Sequence, residues 1–446
     1  MKLRYGMVLI AFVGVGALPN DALPATPMVA EVASTTRIQF GSLSNGDLSV
    51  PSVVEDQDYL VRIVGLDSAN NCIRVFDPNF QLFSGDCIQE RDAANQVVDA
   101  SGRAPELNEW LRLTWVDAST NEIRACYLAT DLEWCLNTAL SLPSPAPGST
   151  VVPASPGTWN DWLFWLDGQG SLFSANLHWL DWQFPETPTL EASWTGWAGS
   201  VPAVWSGGSW SQSRPWPYEP YRFQRVVTAY RSTNSRIVVR EWTEQFLDKA
   251  QSTWIDPPPP SDPLGRTANR SYVAPLPENS PANAILGHPS VLDELVVYEW
   301  QYSYQHPMSG QTIEETKIVL KNWTTGENVP FHRPGFGNDY SCTNFFWPSL
   351  FEIGGHRYLA YYAEGCSADT ATSLYVMRLG SQQLFRAAAG VLPFKDATRR
   401  PYDITEDADP APPDGKDPIP AAYLVIQVID TAGRGKLELG NFYLPE

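Results

Sequence analysis

The segment from Phe331 to Cys342 reads Phe-His-Arg-Pro-Gly-Phe-Gly-Asn-Asp-Tyr-Ser-Cys and gathers His332, Arg333, Asn338, Asp339 and Tyr340 in one short stretch. An Arg beside a sugar carboxylate neutralises it and acidifies the adjacent C–H, and a His or Tyr then serves as base and acid. The run from Gln301 to Glu315 adds Tyr302, Tyr304 and His306. His306, His332, Arg333 and Tyr340 are therefore the candidate catalytic set, with Asn338 and Asp339 as ligand contacts. The plainer alternative is a Gly/Pro-shaped connector whose His and Tyr side chains bond only to backbone.

A second group is aromatic. Trp205, Trp210 and Trp216 lie in and beside a Ser-, Gly- and Pro-rich insertion from Ser206 to Tyr221. Flat aromatic faces stack on pyranose rings, so these three are candidate ligand-binding residues, the alternative being a local mini-core. Paired carboxylates for glycoside hydrolysis can be sought among Glu106, Asp117, Asp167 and Asp430. Asp67, Asp117, Asp167 and Asp430, however, each follow an apolar run, where Asp ends strands and makes Asx turns, and the structural reading is preferred. Among the 5 His there is no H-E-x-x-H, and the chain has no G-x-S-x-G and no phosphate-cradling Gly loop. Neither metal nor cofactor is expected.

With 30 Lys and Arg against 50 Asp and Glu, the formal net charge is -20. Such a chain is repelled by phosphate backbones and anionic lipid, so the partner expected is a carbohydrate or a protein, without nucleic acid, and the protein is expected to be a monomer. Lys2 and Arg4, the apolar run Met7 to Ala17, and the small residues and Pro that follow have the order of an export signal, with cleavage near residue 17 or 25. That apolar run is too short to span a bilayer, so no stable membrane anchor is expected. Residues 1–25 are assigned as signal peptide and 26–446 as a single domain, periplasmic or secreted.

These residues need a scaffold, and the chain supplies one by repetition. Seven times an apolar strand, a polar turn and a second apolar strand recur, the first strands beginning near Tyr59, Trp110, Trp162, Arg225, Leu295, Tyr358 and Tyr423. Upstream of most sits a short element opened by Pro: Pro51-Ser-Val-Val, Pro289-Ser-Val-Leu and Pro348-Ser-Leu-Phe, with Pro105-Glu-Leu and Pro202-Ala-Val as looser copies. Pro suits the first residue of a strand. Units of this size with about four strands imply an all-β, seven-bladed β-propeller, closed as a ring when the stretch around Thr36 to Phe40 joins the last blade. An even 6 cysteines in an exported chain favours disulfides. The repeat brings turn and blade link together on one face and selects nearest-neighbour pairing: Cys72 with Cys87, Cys126 with Cys135, Cys342 with Cys366.

Tyr358-Leu-Ala-Tyr-Tyr-Ala followed by Ser373-Leu-Tyr-Val-Met-Arg-Leu resembles the repeats of TolB-type propellers, which implies periplasmic binding or scaffolding. The run from Trp347 to Tyr362 is similar to a blade of the five-bladed propeller glycosidases acting on arabinan and xylan. Those enzymes carry Asp before the Pro of an early blade as general base; the corresponding places here hold Val50 and His288. Seven-bladed propeller polysaccharide lyases are similar in architecture. These resemblances imply a binding or scaffolding protein, with carbohydrate as ligand, or alternatively a lyase or hydrolase of an acidic polysaccharide.

Overall fold

The computed structural model describes residues 30–31, 34–40, 48–55, 60–76, 87–91, 96–108, 111–117, 119–120, 122–128, 152–154, 160–166, 171–178, 189–195, 202–232, 234–248, 251–331, 342–365, 372–381, 384–389, 400–407, 421–429 and 434–443. The described residues are all-β and propeller-like, built of successive sheets whose strands pair antiparallel except where Ala30–Glu31 joins Leu384–Ala389 in parallel. Sheet 1 holds Leu48–Glu55, Val61–Asp67 and Cys72–Phe76; sheet 2 holds Gly102–Leu107, Arg112–Asp117 and Ile123–Tyr127. Sheet 3 runs from Val152–Ala154 through Asn160–Leu166 and Ser171–His178 to Thr189–Thr195, and sheet 4 opens with Ala203–Gln212, Tyr221–Arg231 and Ile237–Asp248. Sheet 5 comprises Ile285–Leu292, Leu295–Gln305 and Thr312–Asn322. Sheet 6 comprises Asn344–Ile353, His356–Glu364, Ser373–Arg378 and Leu384–Ala389, with Ala30–Glu31 paired parallel at its edge; sheet 7 comprises Tyr402–Asp407, Ala421–Ile429 and Gly435–Tyr443, and Gln89–Arg91 and Val97–Asp99 form a separate two-stranded sheet. Each expected strand pair falls on the second and third strands of one sheet.

The core lies between sheets. Leu48, Val53 and Ile63 of sheet 1 pack on Val425 and Leu437 of sheet 7; Leu292, Val297 and Leu320 of sheet 5 pack on Leu350, Leu359 and Tyr361 of sheet 6. Sheet 4 contacts sheets 3 and 5, and sheet 6 contacts sheets 5 and 7. Covered on both faces, the second strands carry long buried apolar runs, such as Tyr358 to Ala363, and in Arg112–Asp117 even Arg112, Thr114 and Asp117 are buried. Ser34–Phe40 pairs antiparallel with Gly435–Tyr443, adding an N-terminal strand to sheet 7.

The prolines sit differently from the expectation. Pro51, Pro105, Pro289 and Pro348 are inside the first strands of their sheets, where the register shifts by a two-for-one β-bulge between Ser49 and Ser52, Arg103 and Glu106, Gly287 and Ser290, and Phe346 and Ser349. The residues bulged out are the dipeptides Val50-Pro51, Ala104-Pro105, His288-Pro289 and Trp347-Pro348. A bulge leaves its extra residue out of the ladder, so Pro loses no hydrogen bond there.

Cys72 and Cys87 form a disulfide, Cα–Cα 5.7 Å, as expected. Cys126 and Cys342 are also disulfide-bonded, and Cys135 and Cys366, assigned as their partners, lie outside the described residues. No helix among the described residues is long and apolar enough to cross a membrane. The export signal at residues 1–25 lies outside them too.

Candidate functional site

First-strand residues from sheets 1, 2, 4, 5, 6 and 7, or residues leading directly into those strands, line a single cavity of about 180 Å³. Neighbouring first strands are stitched around it by the recurring Pro-Ser-apolar copies. Ser52 Oγ donates to Glu106 Oε2 at 3.1 Å, Leu350 N donates to Ser290 Oγ at 3.0 Å, and Arg400 donates to Ser349 Oγ. Between sheets 7 and 1 the acceptor is a carboxylate, Asp403 Oδ2, 2.9 Å from Val53 N.

The bulges choose what faces this cavity. His288 and Trp347, each just before its Pro, adopt left-handed backbone at φ 40° and 52°, which is uncommon for bulky residues and marks a constrained position. Their rings stack at 3.9 Å. In sheet 7 the residue before the Pro is Arg400, which also forms an ion pair with Asp403 at 3.7 Å. Below them Tyr402 is fully buried, and its hydroxyl donates to the carbonyls of Trp347 at 2.5 Å and Ala360 at 3.2 Å. Burial pushes its phenol well above the usual range, so it remains a neutral donor. His288, Arg400, Glu106 and Asp403 are each partly exposed and line the cavity together. Two acceptor carboxylates, a cation and an imidazole converge on one small volume.

Of the catalytic candidates taken from the sequence, His306 lies at the tip between Leu295–Gln305 and Thr312–Asn322. Its backbone N–H donates to Gln311 O, and its Nδ1 accepts from Ser309 N at 3.3 Å. His332, Arg333, Tyr340, Asn338 and Asp339 lie outside the described residues. Trp205 packs against the cores on both sides of sheet 5, and Trp210 stacks on Phe223 at 5.5 Å with Arg266 over its ring. Trp216 alone of the three is freely accessible, at 93 % exposure. It stands at the opposite end of the molecule from His306. Arg225, near the start of Tyr221–Arg231, bonds Asp293 just before Leu295, whereas Ser235, past the end of that strand, accepts from Leu286 N. The strand Leu295–Gln305 then separates the two tips by about 33 Å.

Asp67 and Asp117 are structural, as read. Asp67 Oδ1 caps Ala69 N and its Oδ2 holds Arg74 at 2.7 Å, while Asp117 Oδ1 caps Ser119 N and Thr120 N, both at 2.8 Å. Asp167 and Asp430 lie outside the described residues. Arg400 and Asp403 escaped sequence reasoning. Their signal was the Pro-opened element itself, since Arg400-Pro401-Tyr402-Asp403 is a further copy with its Ser replaced.

No family profile matches the chain, and no curated protein matches it. Among solved structures it is similar to the β-propeller domain of the Trilobed protease from Pyrococcus furiosus, at 9% identity over 78% of this chain and 100% of that one, TM-score 0.32. It is also similar to AofleA from Arthrobotrys oligospora, at 10% identity over 81% and 94% of the two chains, TM-score 0.31. An exo-1,5-alpha-L-arabinanase from a bovine ruminal metagenomic library shares 13% identity over 66% and 93%, TM-score 0.27. No chemical assignment rests on likenesses this distant.

Proposed function

We propose that the chain is an exported seven-bladed propeller, closed by its N-terminal strand, that binds a carbohydrate in the central cavity. The pairing of Ser34–Phe40 with the last sheet and the shared lining of one cavity by six first strands support the ring. The Cys72–Cys87 disulfide supports a periplasmic or secreted setting. Residues 26–446 then form one domain, acting as a monomer.

The observation that carries the ligand reading is the mixed chemistry of the cavity. Sugar hydroxyls both donate and accept, and Arg400 offers donors, Glu106 and Asp403 offer acceptors, and His288 offers either. At about 180 Å³ the cavity is smaller than the ~300–1,000 Å³ of drug-sized sites, which suits one sugar unit or a chain end. A glycan array with the wild type and an Arg400→Ala/His288→Ala double variant tests this. Binding in the wild type and loss in the variant is the expected pattern; an array equally bright with both rules out the cavity as the site.

A second reading, cleavage of an acidic polysaccharide, is favoured by one observation. His288 and Arg400, a base and a cation able to face a uronate carboxylate, line the same cavity, whereas His306 closes a surface turn. Incubation with uronate polymers, followed by absorbance of unsaturated products and by assay of reducing ends, distinguishes cleavage from binding alone.

A further inference from the structure

Glu299, on the second strand of sheet 5, is 1 % exposed. Its carboxylate reaches into the interface with sheet 6 and divides its two oxygens between the sheets. Oε1 accepts the backbone N–H of Trp347 at 2.6 Å; Oε2 accepts from the Gln301 amide and meets His288 Nδ1 at 2.8 Å. One side chain thus grips both left-handed bulge residues, in the geometry that stacks their rings. A carboxylate this buried is tolerated because all these bonds are made.

The arrangement also decides which imidazole nitrogen is free. An ionised carboxylate only accepts, so in the neutral ring the nitrogen facing Glu299 carries the proton and Nε2 keeps its lone pair. Among the described residues no hydrogen bond reaches Nε2. The His288 side chain is 29 % exposed and lines both the central cavity and a second one of about 190 Å³ between sheets 5 and 6.

We infer that Glu299 is the positioning residue of the central cavity: it fixes His288 as the Nδ1–H tautomer and presents Nε2 as an acceptor for a ligand hydroxyl. The ligand half of this inference rests on the carbohydrate reading; the tautomer does not. Selectivity follows, because a sugar whose hydroxyl meets Nε2 keeps its bond, and its deoxy or O-methyl analogue loses it.

The test is a two-bond ¹H–¹⁵N correlation spectrum of ¹⁵N-histidine-labelled full chain at pH 8, with His288 assigned by the signals absent in His288→Gln. The wild type is expected to show the Nδ1–H pattern. Glu299→Gln keeps an acceptor for Trp347 N–H and turns an amide N–H toward Nδ1, so the ring is expected to switch to Nε2–H and glycan affinity to fall at least tenfold. A wild-type Nε2–H pattern, or an unchanged pattern in folded Glu299→Gln, overturns the inference. If Glu299→Gln does not fold, the wild-type spectrum still decides. An Nδ1–H wild type that binds no glycan removes the carbohydrate reading and leaves the positioning of His288 supported.

Discussion

Val53 and Asp403 stand 350 positions apart in sequence, yet the backbone N–H of one donates to the carboxylate of the other at 2.9 Å. This hydrogen bond joins the first sheet to the last at the edge of sheet 7 opposite the N-terminal strand, where the apolar faces of the two sheets also pack together. Asp403 also lines the cavity of about 180 Å³, so the contact between these two sheets and the cavity wall share one residue.

Removing that acceptor leaves a part-buried N–H unsatisfied. Asp403→Ala is expected to lose about 1–3 kcal/mol of stability in urea denaturation, and Asp403→Asn, which retains a carbonyl acceptor, markedly less. Equal losses in both variants would mean that charge, not the bond to Val53, matters there.

Glu241 is fully buried among Arg225, Arg266 and Arg270, at 2.8, 2.9 and 2.8 Å. Burial alone would raise its pKa, but the bonds from Arg270 and Arg225 and the charges of Arg225 and Arg266 outweigh it and hold the group below the usual carboxylate range. A depressed folded pKa contributes stability that is present above the unfolded value of about 4.3 and is lost as pH falls through the folded one. Glu241→Gln is expected to cost about 3–5 kcal/mol at pH 7, and the gap to wild type should narrow in denaturation series carried below pH 4.

The Cys72–Cys87 bridge closes a loop of sequence separation 15. Replacing both cysteines with Ala should lower stability by about 2–4 kcal/mol, read from denaturant midpoints, while leaving glycan binding intact because neither residue lines the central cavity.

How far the sequence reaches can be judged at particular residues. The strand pairs were legible because a second strand buried on both faces tends to a continuous apolar run, as the buried residues Tyr358 to Ala363 of His356–Glu364 do. The Pro-Ser-apolar copies were legible as repeats, but not as the stitches between sheets, since the bond from Leu350 to Ser290 depends on how two sheets dock. His288 was noticed only as a place where an Asp is expected. Its convergence with Trp347 and Arg400 was hidden, because each lies more than fifty residues from the next; bulges turn His288 and Trp347 toward the common cavity, and Arg400 reaches it from just before its strand. Trp210 and Trp216 looked alike in sequence; packing on Phe223 separates them.

That separation is open to measurement. Trp216→Ala should leave stability within about 0.5 kcal/mol of wild type, whereas Trp210→Ala, which removes a stacked and partly buried ring, should cost at least about 2 kcal/mol by thermal or urea unfolding.

Calorimetric titration of the best array glycan into wild type, His288→Ala, Arg400→Ala and Trp216→Ala bears on the whole account. Binding in the central cavity predicts affinity reduced at least tenfold by His288→Ala and by Arg400→Ala and unchanged by Trp216→Ala. Affinity lost in Trp216→Ala and kept in the two cavity variants would contradict it and place recognition on the exposed hairpin.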